Sequence, residues 1–164
     1  MIPLRLLAVS ALAALFVSGS MAAPPPANPL VGSWILDAFV DYDADGKPFK
    51  PMGDKPVGLF IFSADGHFSF HFMRDPPVDG TEQSGPYKTL VPHWYMSYFG
   101  TYRYDPKGPG WTGRVLGGNV KSYIGTEQAR IFSLKGDVMT ISATYTSEGR
   151  RYRADRVLHR APAQ

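Results

Sequence analysis

From Leu30 onward, apolar and polar residues alternate along the chain instead of recurring at every third or fourth position. Alternation sends successive side chains to opposite faces, the period of a half-buried β-strand. Between Leu30 and Val40, Trp34, Leu36, Ala38 and Val40 share one face, with Ser33, Asp37 and Asp41 on the other. The pattern predicts further strands over Val57 to Phe62, His67 to Met73, Tyr98 to Tyr104, Trp111 to Leu116, Gln128 to Leu134, Val138 to Tyr145 and Arg151 to His159. Asp43-Ala44-Asp45-Gly46, Ser63-Ala64-Asp65-Gly66 and Lys135-Gly136-Asp137 separate several of them as turns, because glycine accepts positive φ without steric cost. Short strands at this spacing predict an all-β barrel or sandwich.

The hairpin around Gly66 is the strongest local signal. With a three-residue loop and Gly66 left-handed, Ser63 pairs with His67, and Phe60, Phe62, Phe68, Phe70 and Phe72 fall on one face. A two-residue turn at Asp65-Gly66 would instead set Phe60 and Phe62 beside Ser69 and His71. Asp75 to Pro92 breaks the pattern with Pro76, Pro77, Pro86, Pro92, Gly80 and Gly85, and long irregular stretches of this kind serve as lids or mobile segments. Pro92 suits the first position of a short helical turn through His93-Trp94-Tyr95-Met96.

The first residues read differently. Arg5, an apolar run from Leu6 to Val17, and Ser20-Met21-Ala22 ahead of Ala23 make residues 1–22 a secretory signal peptide. That run is shorter than the roughly 20 residues needed to cross a bilayer, so no stable membrane anchor is expected. Residues 23–29, rich in proline, form a stiff spacer, and residues 30–160 form the domain. The absence of cysteine removes disulfides, so burial alone must stabilise an exported domain, which suits a periplasmic or otherwise secreted bacterial protein. Net charge falls from +3 to +2 once Arg5 is removed, too little to argue for nucleic acid.

Candidate chemistry follows from parity. Aromatic residues make up 13% of the chain, and their one-face stripes either fill a barrel interior or wall a cavity in it. Arg74 shares parity with Phe68, Phe70 and Phe72, and Arg130 with Phe132 and Leu134. Each is either a surface arginine or a cation offered to a carboxylate or phenolate, since two unpaired buried cations would need an anionic partner. Tyr98, Gly100, Tyr102 and Tyr104 form another stripe, whose hydroxyls could orient a polar ligand. His67, His71 and His93 do not make a metal site, because four residues on a strand span about 13 Å. Asp41, Asp43 and Asp45 read as a turn without the bidentate acid a calcium loop requires. No nucleophile elbow, phosphate-binding loop or dinucleotide fingerprint occurs, and no cofactor is expected. No feature specifies an oligomeric state.

Gly32-x-Trp34, Asp45-Gly46, Gly58-Leu59-Phe60-Ile61-Phe62-Ser63-Ala64-Asp65-Gly66-His67-Phe68-Ser69, Met73-Arg74, Tyr98-Phe99-Gly100-Thr101-Tyr102 and Arg130-x-Phe132, in that order, resemble the bacterial and fungal lipocalin-like domain family over about residues 30–160. The resemblance implies an eight-stranded up-and-down antiparallel barrel that holds a small apolar ligand. It also implies that Trp34 stacks under an arginine of the last strand, for which Arg156 is the candidate. The chain departs from the family pattern at Phe68, where methionine is frequent, and near His159, where tryptophan is common. Together these readings predict an exported protein binding a small apolar or amphipathic ligand through Phe60, Phe62, Phe68, Phe70, Phe72, Arg74, Tyr98, Tyr102 and Arg130. The alternative is an isomerase or cyclase using the same cavity, with His71, Tyr102 or Asp37 as its acid–base group if turned inward. A barrel with a solid core and a structural role is the third possibility.

Overall fold

A computed structural model describes residues 27–78, 93–108, 110–147 and 149–162. Among these residues, nine strands form one antiparallel sheet: β1 (Gly32–Tyr42), β2 (Pro48–Phe49), β3 (Val57–Phe62), β4 (His67–Val78), β5 (His93–Tyr104), β6 (Gly110–Gly118), β7 (Glu127–Lys135), β8 (Val138–Ser147) and β9 (Arg150–Arg160). Beyond the two-residue β2, which lies along the end of β1, each strand pairs with the next in sequence. β9 also pairs with β1, so eight strands close into an up-and-down barrel. A 3-10 turn, Lys121–Tyr123, follows β6.

The β3–β4 hairpin adopts the three-residue loop. Ser63 N donates to His67 O at 2.8 Å, Gly66 takes φ 87°, and Phe62 stands opposite Phe68 and Phe60 opposite Phe70. All five phenylalanines therefore point inward and are buried. Phe70 is the hub, with ring centroids 4.5 Å from Phe60, 4.6 Å from Phe68 and 5.1 Å from Phe62. At ~1.5–3 kcal/mol for each buried ring, this wall contributes on the order of 10 kcal/mol against the entropy of folding.

β1 does not keep one alternation along its length. Its register against β9 shifts between Leu36 and Ala38, leaving Asp37 as the extra residue of a bulge. Trp34 and Leu36 point inward before the bulge, Phe39 and Asp41 after it, and Asp37 is exposed. The continuous stripe through Ala38 and Val40 is thus broken by one residue. A second bulge lies between Phe99 and Gly100, where a Cβ on Gly100 would overlap the carbonyl of Arg114.

One end of the barrel is plugged. Trp34 is fully buried and its indole Nε1 donates to Leu30 O at 2.8 Å. The arginine stacked on Trp34 is Arg160, 4.2 Å from the ring centroid, and not Arg156. Cross-strand register explains the exchange: Trp34 faces Arg160, whereas the bulge brings Arg156 opposite Phe39. Arg160 also donates to the carbonyls of Val31 and Pro29, fastening the chain that crosses the barrel floor.

Two expectations about the segment between β4 and β5 change. β4 continues through Asp75, Pro76 and Pro77 to Val78, and His93–Met96 belongs to β5 instead of a helical turn. Trp94 takes φ 61°, near the point where the β4–β5 register breaks. The rest of the expected lid, residues 79–92, lies outside the described residues, as do the signal peptide and the first four residues of the spacer.

Candidate functional site

The interior divides into a packed floor and a hollow upper half. Phe62, Phe68 and Tyr102 belong to the floor. The Tyr102 hydroxyl donates to Ser63 O at 3.0 Å and accepts from Asn28 Nδ2 at 2.9 Å, so it serves the plug. Above them lies a cavity of about 350 Å³, within the range of small-molecule sites. Phe39, Phe60, Phe70 and Phe72 form its apolar wall, with Met52 closing from the β2–β3 loop. A second, more open hollow of about 770 Å³ shares Trp111, Tyr123, Arg130 and Tyr145 with the first.

The second hollow exists because β7 is shared. Glu127 to Ile131 pair with β6, whereas Ile131 to Lys135 pair with β8. Only Ile131 belongs to both ladders, so the wall carries a seam between the first half of β7 and the second half of β8.

The polar side of the cavity is built from five strands. Asp41, delivered inward by the β1 bulge, meets Arg156 of β9 with Oδ1 2.8 Å from Nη1. The Arg156 guanidinium lies 3.1 Å from the Phe39 ring centroid and also donates to Val40 O and Asp155 O. Burial pulls its pKa down, and the charge and hydrogen bond of Asp41 push back. The hydroxyl of Tyr145 reaches the other carboxylate oxygen at 3.5 Å. Tyr98 of β5 is buried, which raises its phenol above the ordinary tyrosine range, while the nearby charge of Arg130 opposes the rise. Arg130 of β7 donates to Ala129 O and Gln128 Oε1 and makes no ion pair among the described residues.

Of the residues expected to bind ligand, Phe60, Phe70, Phe72, Tyr98 and Arg130 line the cavity. Phe62, Phe68 and Tyr102 are buried beneath it, and Arg74 is exposed beyond its rim, because β4 runs on past the end of the wall. The proposed acid–base groups are not gathered in the interior. His71 is exposed on the outer face, 3.0 Å from Ser69 Oγ, 2.9 Å from the Tyr95 hydroxyl and 3.1 Å from Ser97 Oγ. Asp37 is exposed and pairs with His159 at 2.7 Å. The three alternating aspartates part company: Asp41 faces Arg156, Asp43 accepts the amides of Asp45 and Lys47, and Asp45 meets Arg150.

Phe39, Asp41, Met52, Trp111 and the inward role of Arg156 escape a parity reading. Only the bulge at Asp37 reveals the first two, and its sequence signal is slight: a charged residue between Leu36 and Ala38, followed by an aromatic of the opposite parity. Among the described residues, no helix is long and apolar enough to cross a membrane.

Comparison with known proteins gives one family. A family model described as a lipocalin-like domain matches residues 31–159. No curated protein and no solved structure matches the chain.

Proposed function

Because the chain belongs to the lipocalin-like domain family, we propose that it binds a small, partly apolar ligand inside its barrel. The observation that carries this reading is the cavity of about 350 Å³ above a fully packed floor. Eight strands leave an interior just wide enough to be filled by side chains, and here the upper half is not filled. Phenylalanine rings on one side and a small set of oriented polar groups on the other are the usual lining of a ligand site. Binding is favoured over catalysis because His71 and Asp37 lie on the outer face and the Tyr102 hydroxyl is engaged in the plug.

Export to the periplasm or beyond is part of the same proposal. Its support is the basic start, apolar run and small-residue cleavage site within residues 1–22.

The test is uptake of a neutral fluorescent hydrophobe, Nile red, by the purified protein, with native mass spectrometry of material from its own host. Saturable one-to-one uptake is expected, and Ala143→Trp, which puts an indole into the cavity from β8, should weaken it at least tenfold at unchanged far-ultraviolet circular dichroism. A protein that carries nothing from its host and takes up no probe would refute the reading.

A further inference from the structure

We infer that the cavity selects an amphipathic acid, an organic anion whose carboxylate docks against Arg130 while its apolar part lies among Phe60, Phe70 and Phe72. The inference rests on the ligand-binding reading and adds the chemical class of the ligand.

Charge is the first ground. Three ionised side chains line the cavity: Asp41, Arg130 and Arg156. Asp41 and Arg156 neutralise each other at 2.8 Å, and the second carboxylate oxygen of Asp41 is taken by the Tyr145 hydroxyl. One positive charge remains, on Arg130, which has no acidic partner among the described residues. A half-buried guanidinium without a counter-ion carries a cost that an incoming anion removes.

Hydrogen-bonding capacity points the same way. A guanidinium offers five N–H donors in a planar fork, and Arg130 uses Nη1 on Ala129 O and Nη2 on Gln128 Oε1. Directly across the β6–β7 ladder stands Trp111, whose Nε1 is the one buried side-chain nitrogen or oxygen without a partner among the described residues. Tyr98 brings a phenol into the field of Arg130 from β5. Its oxygen accepts from Arg130, so this corner holds spare positive charge and the unpartnered Trp111 donor, and no anionic acceptor to meet them. A carboxylate supplies both of the missing properties, and its two oxygens match an arginine fork. A neutral alcohol supplies one acceptor and no charge, and a cation supplies neither.

Size narrows the class. At ~30 Å³ for each water-sized group, about 350 Å³ holds roughly a dozen non-hydrogen atoms. That corresponds to a medium-chain or single-ring acid, and a longer chain would have to run out into the second hollow.

Isothermal titration calorimetry of the purified protein at pH 7.5 with decanoate, 1-decanol and decyltrimethylammonium tests the inference, since the three share a tail and differ in the head. Decanoate is expected to bind at least tenfold more tightly than decanol, and the cation more weakly than either. Arg130→Gln should abolish the preference for decanoate over decanol, while Arg130→Lys, which keeps the charge and loses the planar fork, should keep only part of it. Equal affinities for decanoate and decanol, or a preference that survives Arg130→Gln, would overturn the inference while leaving the cavity reading standing. Failure of all three ligands and of Nile red would instead remove the ligand-binding reading itself. Should Arg130→Gln not fold, the wild-type ranking decides alone, and binding of the cation as tight as decanoate overturns the proposal.

Discussion

Replacing Asp41 by asparagine keeps the shape of the side chain and removes its charge, leaving Arg156 in place. The Asp41 and Arg156 side chains are 11% and 17% exposed, and their charged atoms are 2.8 Å apart. At an effective dielectric constant of ~20, two unit charges ~4 Å apart interact by about 4 kcal/mol. Breaking a buried pair by removing one member costs ~3–5 kcal/mol, because the survivor is left unpaired in a poorly solvated place. Arg156 keeps its bonds to Val40 O and Asp155 O and its stacking on Phe39, so the lower end, about 3 kcal/mol, is expected. For a urea slope of ~2 kcal/mol/M, that moves the unfolding midpoint down by about 1.5 M. The double variant Asp41→Asn with Arg156→Met is the decisive comparison. It removes both charges and sets an uncharged chain beside Phe39 in place of the guanidinium, so it should recover to within ~1–2 kcal/mol of the wild type. Two results would refute the reasoning. A loss below ~1 kcal/mol in the single variant would mean that solvent screens the pair as it does at a surface. A double variant no more stable than the single one would mean that the loss does not come from an unpaired charge.

Gly100→Ala would drive a methyl group into the Arg114 carbonyl across the β5–β6 bulge; the obstacle is backbone, so the loss should reach or exceed the upper end of the usual ~1–3 kcal/mol for overpacking, read by urea denaturation. Tyr98 provides a pH prediction. Its phenol is raised in the folded state, so above about pH 10 the unfolded chain releases this proton first and stability falls as pH rises toward the folded value. In Tyr98→Phe that part of the alkaline loss should vanish, and identical slopes of stability against pH in both proteins would count against a buried phenol.

How much of this was legible in the sequence depends on what sets each feature. The β3–β4 hairpin was, because Gly66 admits the positive φ that selects one loop, and that loop settles the facing of five phenylalanines together. Phe60, Phe70, Phe72, Tyr98 and Arg130 reach the cavity by the same parity logic. Depth along the barrel was not legible: parity says which face Phe62, Phe68 and Tyr102 occupy, but strand stagger decides that they lie in the floor. Arg156 and Arg160 have equal parity on β9, so nothing local says which one meets Trp34; the pairing with a strand over a hundred residues away decides it. Asp41 entered the site through one extra residue in β1, and a single bulge reverses every facing beyond it. Trp94 and its neighbours were misread because Pro92 suggests a helix start, while pairing with β4 extends the strand instead.

The divided allegiance of β7 has a consequence for how guests come and go. With the floor stapled by Trp34, Leu30 and Arg160, the described wall is interrupted at a flank where neighbouring ladders share a single residue, Ile131. Parting two strands there would open the barrel sideways and leave the other described ladders intact. Arg130 lines both the open hollow at that slit and the cavity behind it, so the charge left over to receive a guest stands on the way in.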